Sequence, residues 1–240
     1  MKNFPQRFFI AGTDTNVGKT VVSAVLTHGL DSYYWKPIQS GQADPLSGDE
    51  YTDSEFLAST GIERSRILKE QYLLKRPLSP HLSASLENKR ISMSDLNLPQ
   101  IDESKKLIVE GAGGLLVPLN EKDLLIDLIS KFAIPVLLVA RSALGTINHS
   151  LLSLAALRMR EIQILGIVMT GAINEENRKA IEHYGKIKVI AQVPILPDFK
   201  AETLQNCFKE NFNGGENLHG EEKPKNLASV YANAHGGKRP

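Results

Sequence analysis

The sequence carries a single cysteine, Cys207, among its 240 residues. That excludes an internal disulfide and any metal site built from several cysteines, and it suits a reducing compartment. An excess of charge is also missing: 28 Lys and Arg against 27 Asp and Glu leave a formal net charge of +1. No surplus of either sign points to a nucleic acid or a membrane surface as partner. Long apolar runs are absent too. The longest, such as 134–140, have strand length, far short of the roughly 18 residues that suggest a membrane span. Residues 1–10 are too few and too polar for a secretory leader ahead of the first motif, so the expected location is the cytoplasm.

What is present is an alternation of short apolar runs with longer segments of helical period. Runs at 7–11, 33–36, 106–109, 135–140, 164–169 and 188–192 read as strands. Segments 19–30, 53–59, 80–88, 124–132, 146–160, 175–184 and 201–208 read as helices. Strands that are apolar almost throughout, separated by helices, predict an α/β fold: one domain with a mainly parallel sheet covered by helices on both faces. Residues 1–210 are assigned to that domain. The stretch 211–240 differs, with five glycines, many charges and no apolar period. It reads as a disordered tail or added extension and receives no function. Between 86 and 103 the polar composition suggests a loop and a short helix.

The first strand runs straight into Gly12-Thr-Asp-Thr-Asn-Val-Gly18-Lys19-Thr20, and a helix-forming segment follows. Strand, glycine loop, helix is the context of a phosphate-binding loop. Gly12 and Gly18 let the backbone turn so that several N–H groups face one phosphate. The helix that opens near Lys19 adds its positive dipole end. Lys19 reaches the outer phosphates, and the Thr20 hydroxyl suits Mg²⁺. Five residues separate the two glycines where four are usual, and Thr13 stands where partition-type ATPases carry an extra lysine. Both features point away from generic kinases and from those ATPases.

Glu110 closes the apolar run at 106–109 and precedes Gly111-Ala112-Gly113-Gly114. An acid at the carboxyl end of a parallel strand lies at the sheet edge that carries the phosphate loop, where it suits Mg²⁺ or its water. Asp53, just ahead of a helix, reads by itself as an N-cap or first-turn acid. Lys36 follows an apolar run in Lys36-Pro-Ile-Gln-Ser-Gly41. It is either a surface lysine at a strand end or a cation that steadies a transferring phosphate.

GTDTNVGKT at 12–20, KPIQSG at 36–41, SPHLSA at 79–84, VEGAGG at 109–114 and LGTINHS at 144–150 together resemble the dethiobiotin synthetases, over roughly residues 7–197. The resemblance implies a P-loop NTPase-like fold and a ligase that takes 7,8-diaminopelargonic acid, CO₂ and ATP with Mg²⁺. It proceeds through a carbamate and a carbamic–phosphoric anhydride to a cyclic urea. It further implies that Thr15 lies near substrate and γ-phosphate, that Asn16, Val17, Gly18, Lys19, Thr20 and Val21 wrap the phosphates, and that Lys19 and Lys36 hold carbamate and γ-phosphate. Ser40 becomes a substrate-side hydroxyl, and Thr20, Asp53 and Glu110 become the Mg²⁺ set, with Gly111, Ala112 and Gly113 beside the nucleotide. Gly145, Thr146 and Asn148 open a helix that receives the substrate carboxylate across a homodimer interface. No side chain stands out as a general base. His81 and His149 receive no role, and Cys207 reads as a core residue.

The match departs from the family at Thr170 and Gly171, where an asparagine usually reads adenine. A threonine hydroxyl cannot present both a carbonyl acceptor and an NH₂ donor. Base recognition is therefore expected to rest on backbone groups around Pro194, Ile195 and Leu196, with weak discrimination among triphosphates. Two other readings stay open from sequence. One is a different ATP-driven ligase or amidoligase; the other is a nucleotide-switch ATPase that acts through a protein partner.

Overall fold

A computed structural model describes residues 4–42 and 51–212. Seven parallel strands form the main sheet. They are β1 (Arg7–Gly12), β2 (Tyr33–Trp35), β4 (Ile67–Leu68), β6 (Leu107–Gly114), β7 (Val136–Arg141), β8 (Ile164–Thr170) and β9 (Val189–Val193), in the order β4-β2-β6-β1-β7-β8-β9. A separate parallel pair joins β3 (Ile38–Ser40) to β5 (Tyr72–Leu74). The helices are α1 (Lys19–Leu30), α2 (Asp53–Ser59), α3 (Pro80–Leu86), α4 (Leu125–Phe132), α5 (Thr146–Met159), α6 (Glu175–Gly185) and α7 (Ala201–Phe212).

Side chains alternate across a strand, and here the alternation divides the interior into two cores. Phe8 and Ile10 of β1, Leu137 and Val139 of β7, and Val168 of β8 join one core with residues of α1, α2 and α7. Phe9 and Ala11, Leu138 and Ala140, and Ile167 and Met169 join the other, with residues of α3, α4, α5 and α6. Both faces of the sheet are thus covered, which is why the strands are apolar throughout. Each large side chain buried this way contributes about 1.5–3 kcal/mol relative to exposure.

The expected α/β architecture is what the chain adopts. β3, β4 and β5 escaped the sequence reading because runs of two or three residues carry no period. β6 does not stop before Glu110: it continues through Gly111, Ala112 and Gly113 to Gly114. Glycines with no side chain to bury read as a turn, yet Gly111 is pressed so closely against Phe9 and Leu125 that a Cβ would sit 2.7 Å from Phe9. α7 runs two residues past the expected domain boundary. Phe212 is fully buried and stacks on Phe208, and Asn211 donates from its side chain to the Cys207 carbonyl. Gly29 of α1 makes room for Phe208, so α1 and α7 approach closely. Cys207 is free and buried in this contact, and burial pushes its thiol up to about 11. Residues 213–240, with most of the expected tail, lie outside the described residues.

Candidate active site

The carboxyl ends of the strands converge on one edge of the sheet. The loop 12–18 leaves β1 there and enters α1 through Gly18, whose backbone is left-handed at φ 86°. Gly12 is required for space: a Cβ would fall 2.7 Å from the Asp14 carbonyl oxygen and 2.8 Å from the Lys19 amine. That amine folds back over the loop and donates to the same carbonyl at 3.0 Å.

Strand register brings the charged groups together. Trp35 pairs with Val109, so the next residues, Lys36 and Glu110, stand abreast on neighbouring strands. Ile10 pairs with Glu110 on the other side of β6. The Lys36 amine is ion-paired with Asp53 and lies 3.1 Å from Glu110. The Thr20 hydroxyl is 2.8 Å from Asp53 and 3.0 Å from Glu110. Glu110 is completely buried and also accepts hydrogen bonds from Ser23 at 2.5 Å and Tyr34 at 3.1 Å. A buried carboxylate is tolerated only when paired and hydrogen-bonded in this way.

Asp53 is not the cap of α2. Thr52 caps it, with Glu55 completing a reciprocal capping box. Its capping duty taken by a neighbour, the Asp53 carboxylate is free to face Thr20 and Lys36. Asp53 is thus a first-turn acid, as one reading of the sequence expected, and the same carboxylate faces Thr20 and Lys36.

The electrostatics of the two lysines differ. Burial, reinforced by repulsion from Lys36, pulls Lys19 down to about 8 against the attraction of Glu110, Asp53 and Asp14. Burial also acts to lower Lys36, but Glu110 and Asp53 outweigh it and hold this amine above its ordinary value. Burial would raise Asp53, and the charge and hydrogen bond of Lys36 overcome it, leaving its carboxyl lowered. Burial and the Glu110 charge push the Tyr34 phenol well up, so it serves as a neutral donor.

Lys19, Thr20, Lys36, Asp53 and Glu110 line a cleft of about 770 Å³ together with Thr15, Asn16, Gly18, Val21, Ser40, Ala112 and Gly113. Ser40 ends β3, and its hydroxyl is buried without a partner. Thr20, Asp53 and Glu110 supply three converging oxygen donors, the chemistry that a hard divalent cation prefers. Among the described residues no cluster of three or more His, Cys, Asp or Glu could hold a metal. Two carboxylates and a hydroxyl fit Mg²⁺ only if phosphate oxygens and water complete its shell, which is its usual mode of binding.

A second, smaller cleft of about 460 Å³ adjoins the first and is lined by Asn16, Val17, Gly18, Thr170, Gly171 and their neighbours. The Thr170 hydroxyl donates to the Val17 carbonyl at 2.7 Å, and the Gly171 N–H donates to the Val193 carbonyl. Pro194, Ile195 and Leu196 follow β9 and line neither cleft, and Ile195 is largely exposed. Gly145 caps α5, which begins at Thr146 as expected. Gly145, Thr146 and Asn148 do not line the large cleft of their own chain. Thr146 and Ser150 in this helix carry buried hydroxyls without partners, and Leu144 beside them is fully exposed. His149 lines a small pocket with Thr13, Asp14 and Thr15, while His81 is exposed on α3.

Sequence reasoning missed Ser23, Tyr34, Asp14 and Arg141. Ser23 lies one helical turn beyond Thr20, a spacing that repeats a face and could have drawn attention to it. Tyr34 meets Glu110, and Arg141 meets Asp14, only through tertiary structure. The Arg141 guanidinium, at the end of β7, lies 2.6 Å from the Asp14 carboxylate.

Three comparisons bear on this site. The AAA domain family matches residues 6–203. The ATP-dependent dethiobiotin synthetase BioD of Brucella melitensis is 46% identical over 207 residues, which are 86% of this chain and 94% of that protein. The protein of the same name from Agrobacterium fabrum is 47% identical over 208 residues, with the same coverage. Among solved structures, a ParA family ATPase from Chlorobium tepidum superposes with a TM-score of 0.50 at 13% identity, covering 88% of this chain and 95% of that one. At such identity the likeness speaks for the fold alone.

Proposed function

Belonging as it does to the ATP-dependent dethiobiotin synthetases, the chain is a ligase of biotin biosynthesis, and we propose that it joins 7,8-diaminopelargonic acid and CO₂ into dethiobiotin as ATP becomes ADP and phosphate. The observation that carries this reading is the meeting of two lysines, Lys19 and Lys36, with Thr20, Asp53, Glu110 and the unpartnered Ser40 hydroxyl in one cleft. One amine of the substrate adds to CO₂ and loses a proton, giving a carbamate. A carbamate oxygen attacks the γ-phosphorus, and ADP leaves. The second amine then attacks the carbamoyl carbon and loses a proton. Phosphate departs with the oxygen that linked carbon to phosphorus, and the ring is closed.

The chain's own part is positioning and charge neutralisation. Lys19, with the loop amides of residues 16–21, holds the phosphates. Lys36 faces the oxygens that gain charge between carbamate and γ-phosphate. Thr15 and Ser40 orient the diamine. Thr20, Asp53 and Glu110 would hold Mg²⁺, which would supply positive charge to neutralise the phosphates. No step calls for a strong side-chain base, since the amines shed their protons to solvent or departing oxygens. The nucleotide base is placed in the smaller cleft beside Thr170 and Gly171. The single buried cysteine suits a cytoplasmic setting.

Two copies are proposed to complete the site. The unpartnered hydroxyls of Thr146 and Ser150 and the exposed Leu144 mark the opening of α5. A helix N-terminus offers free N–H groups to an anion, and here it would receive the substrate carboxylate from the neighbouring copy's cleft. Sedimentation together with mixing of a Lys36→Ala copy and a Thr146→Glu copy tests this. Restored activity in the mixture supports a shared site, and additive inactivity opposes it.

The reaction itself is tested by incubating the protein with the diamine, bicarbonate and MgATP. Dethiobiotin formed one-for-one with phosphate, and absent without the diamine, is the expected result. Folded, nucleotide-binding protein that yields no product would redirect the search to other ligase substrates.

A further inference from the structure

The phosphate loop is held from the side by two residues that the proposed chemistry does not use. Arg141 and Thr170 are register partners on the adjacent strands β7 and β8. From this one level of the sheet they reach the two shoulders of the loop. Arg141 grips the Asp14 carboxylate at 2.6 Å, and the other oxygen of that carboxylate accepts the Thr15 N–H at 2.7 Å. Asp14 also supplies the carbonyl on which the Lys19 amine rests. At the far shoulder the Thr170 hydroxyl donates to the Val17 carbonyl at 2.7 Å, with Ala140 a longer second acceptor at 3.4 Å. The Thr170 side chain also packs on the loop backbone, where a Cβ at Gly18 would fall 3.1 Å from its methyl group.

We propose that Arg141 and Thr170 are positioning residues that fix the phosphate loop in its anion-binding shape, and that Thr170 does not read the nucleotide base. The single proton of the Thr170 hydroxyl is spent on the loop, and the neighbouring Gly171 N–H is spent on Val193. A loop pinned at both ends presents its amides without further ordering, and preorganisation of this kind shows as affinity for the phosphates, whatever base is attached. The inference rests on ATP dependence and is independent of the diamine assigned above.

The test measures binding of ATP, GTP, CTP and inorganic tripolyphosphate, each with Mg²⁺ and without diamine, to the intact chain and to Thr170→Val, Thr170→Ser and Arg141→Gln. Thr170→Val keeps the shape and removes the hydroxyl. It is expected to weaken all four ligands by a common factor of about fivefold, the worth of one net hydrogen bond. Thr170→Ser returns the hydroxyl and restores the affinities. Arg141→Gln, at a half-exposed pair, weakens all four by a smaller common factor. Melting temperatures stay near the parent value, since an exposed ion pair adds little to stability. A loss confined to one nucleotide would make Thr170 a base reader and overturn the proposal. So would unchanged binding in both Thr170→Val and Arg141→Gln, or losses that merely track a fall in melting temperature. If Thr170→Val fails to fold, Thr170→Ala removes the same hydroxyl and, beside Arg141→Gln, decides between a common and a selective loss.

Discussion

On one flank of β1, toward β6 and β2, the strand ends carry Lys36 and Glu110, buried and joined by Asp53 and Thr20. On the other flank, toward β7 and β8, the same sheet edge carries Arg141 and Thr170, more exposed and tied to the loop itself. Both flanks border the same proposed phosphate site. The first concentrates charge where it costs desolvation and can act only on what enters the cleft. The second spends ordinary hydrogen bonds on holding backbone in place. A phosphate loop needs both, and their losses should differ in kind: turnover on the first flank, affinity on the second.

The largest expected effect is that of Lys36→Ala. Removing a preorganised cation from developing charge costs on the order of 10²–10³ in kcat, with nucleotide affinity largely retained. Steady-state kinetics beside equilibrium nucleotide binding would show it; lost affinity with unchanged turnover of bound ATP would erase the contrast. Glu110→Gln comes next. Partners one shell removed from a metal already cost about 10–100-fold in affinity, so the Mg²⁺ requirement should rise at least that much in a magnesium titration of activity. The melting temperature should fall as well, since Ser23 and Tyr34 lose a charged acceptor.

Lys19 sharpens the comparison through pH. Its free-state value of about 8 means that the cation is present below that pH and is lost as pH rises through it. Bound phosphate favours the charged form, so nucleotide binding above pH 8 must take up a proton. ATP affinity should weaken by up to about tenfold near pH 9 relative to pH 7. Calorimetry in buffers of different ionisation enthalpy reads the proton directly, and no uptake at pH 8.5 would contradict the assignment.

The second flank gives smaller changes, the uniform losses of about fivefold or less described for Thr170→Val and Arg141→Gln. The smallest effect belongs to truncation after Phe212. It leaves the buried Phe212 and its stack on Phe208 intact, and activity and melting temperature should not change.

How much of this was legible beforehand follows the same division. Apolar strands, the glycine loop and the acid after 106–109 lie on contiguous sequence, and they led to the sheet, to Lys19 and Thr20 and to Glu110. Asp53 and Lys36 were ambiguous one at a time, because a first-turn acid and a strand-end lysine are common; only the resemblance singled them out, and the structure shows Lys36 beside Glu110 by register and ion-paired with Asp53. Tyr34 and Arg141 were invisible, for they act across strands far apart in the chain. The three-residue strands of the β3–β5 pair were too short to show a period. Thr170 was noticed as a departure from the asparagine expected to read adenine; its bond to Val17, far away in the chain, could not be read from sequence.

The most direct measurement follows oxygen. Bicarbonate labelled with heavy oxygen, mixed with diamine and MgATP immediately before a single turnover, should pass label into the released phosphate, because the oxygen linking carbon to phosphorus leaves with the phosphate. Phosphate that carries label only when diamine is present and dethiobiotin forms is the predicted result. Unlabelled phosphate alongside labelled dethiobiotin would mean that ATP is cleaved apart from the carbamate, and the role given to the charged flank would be wrong.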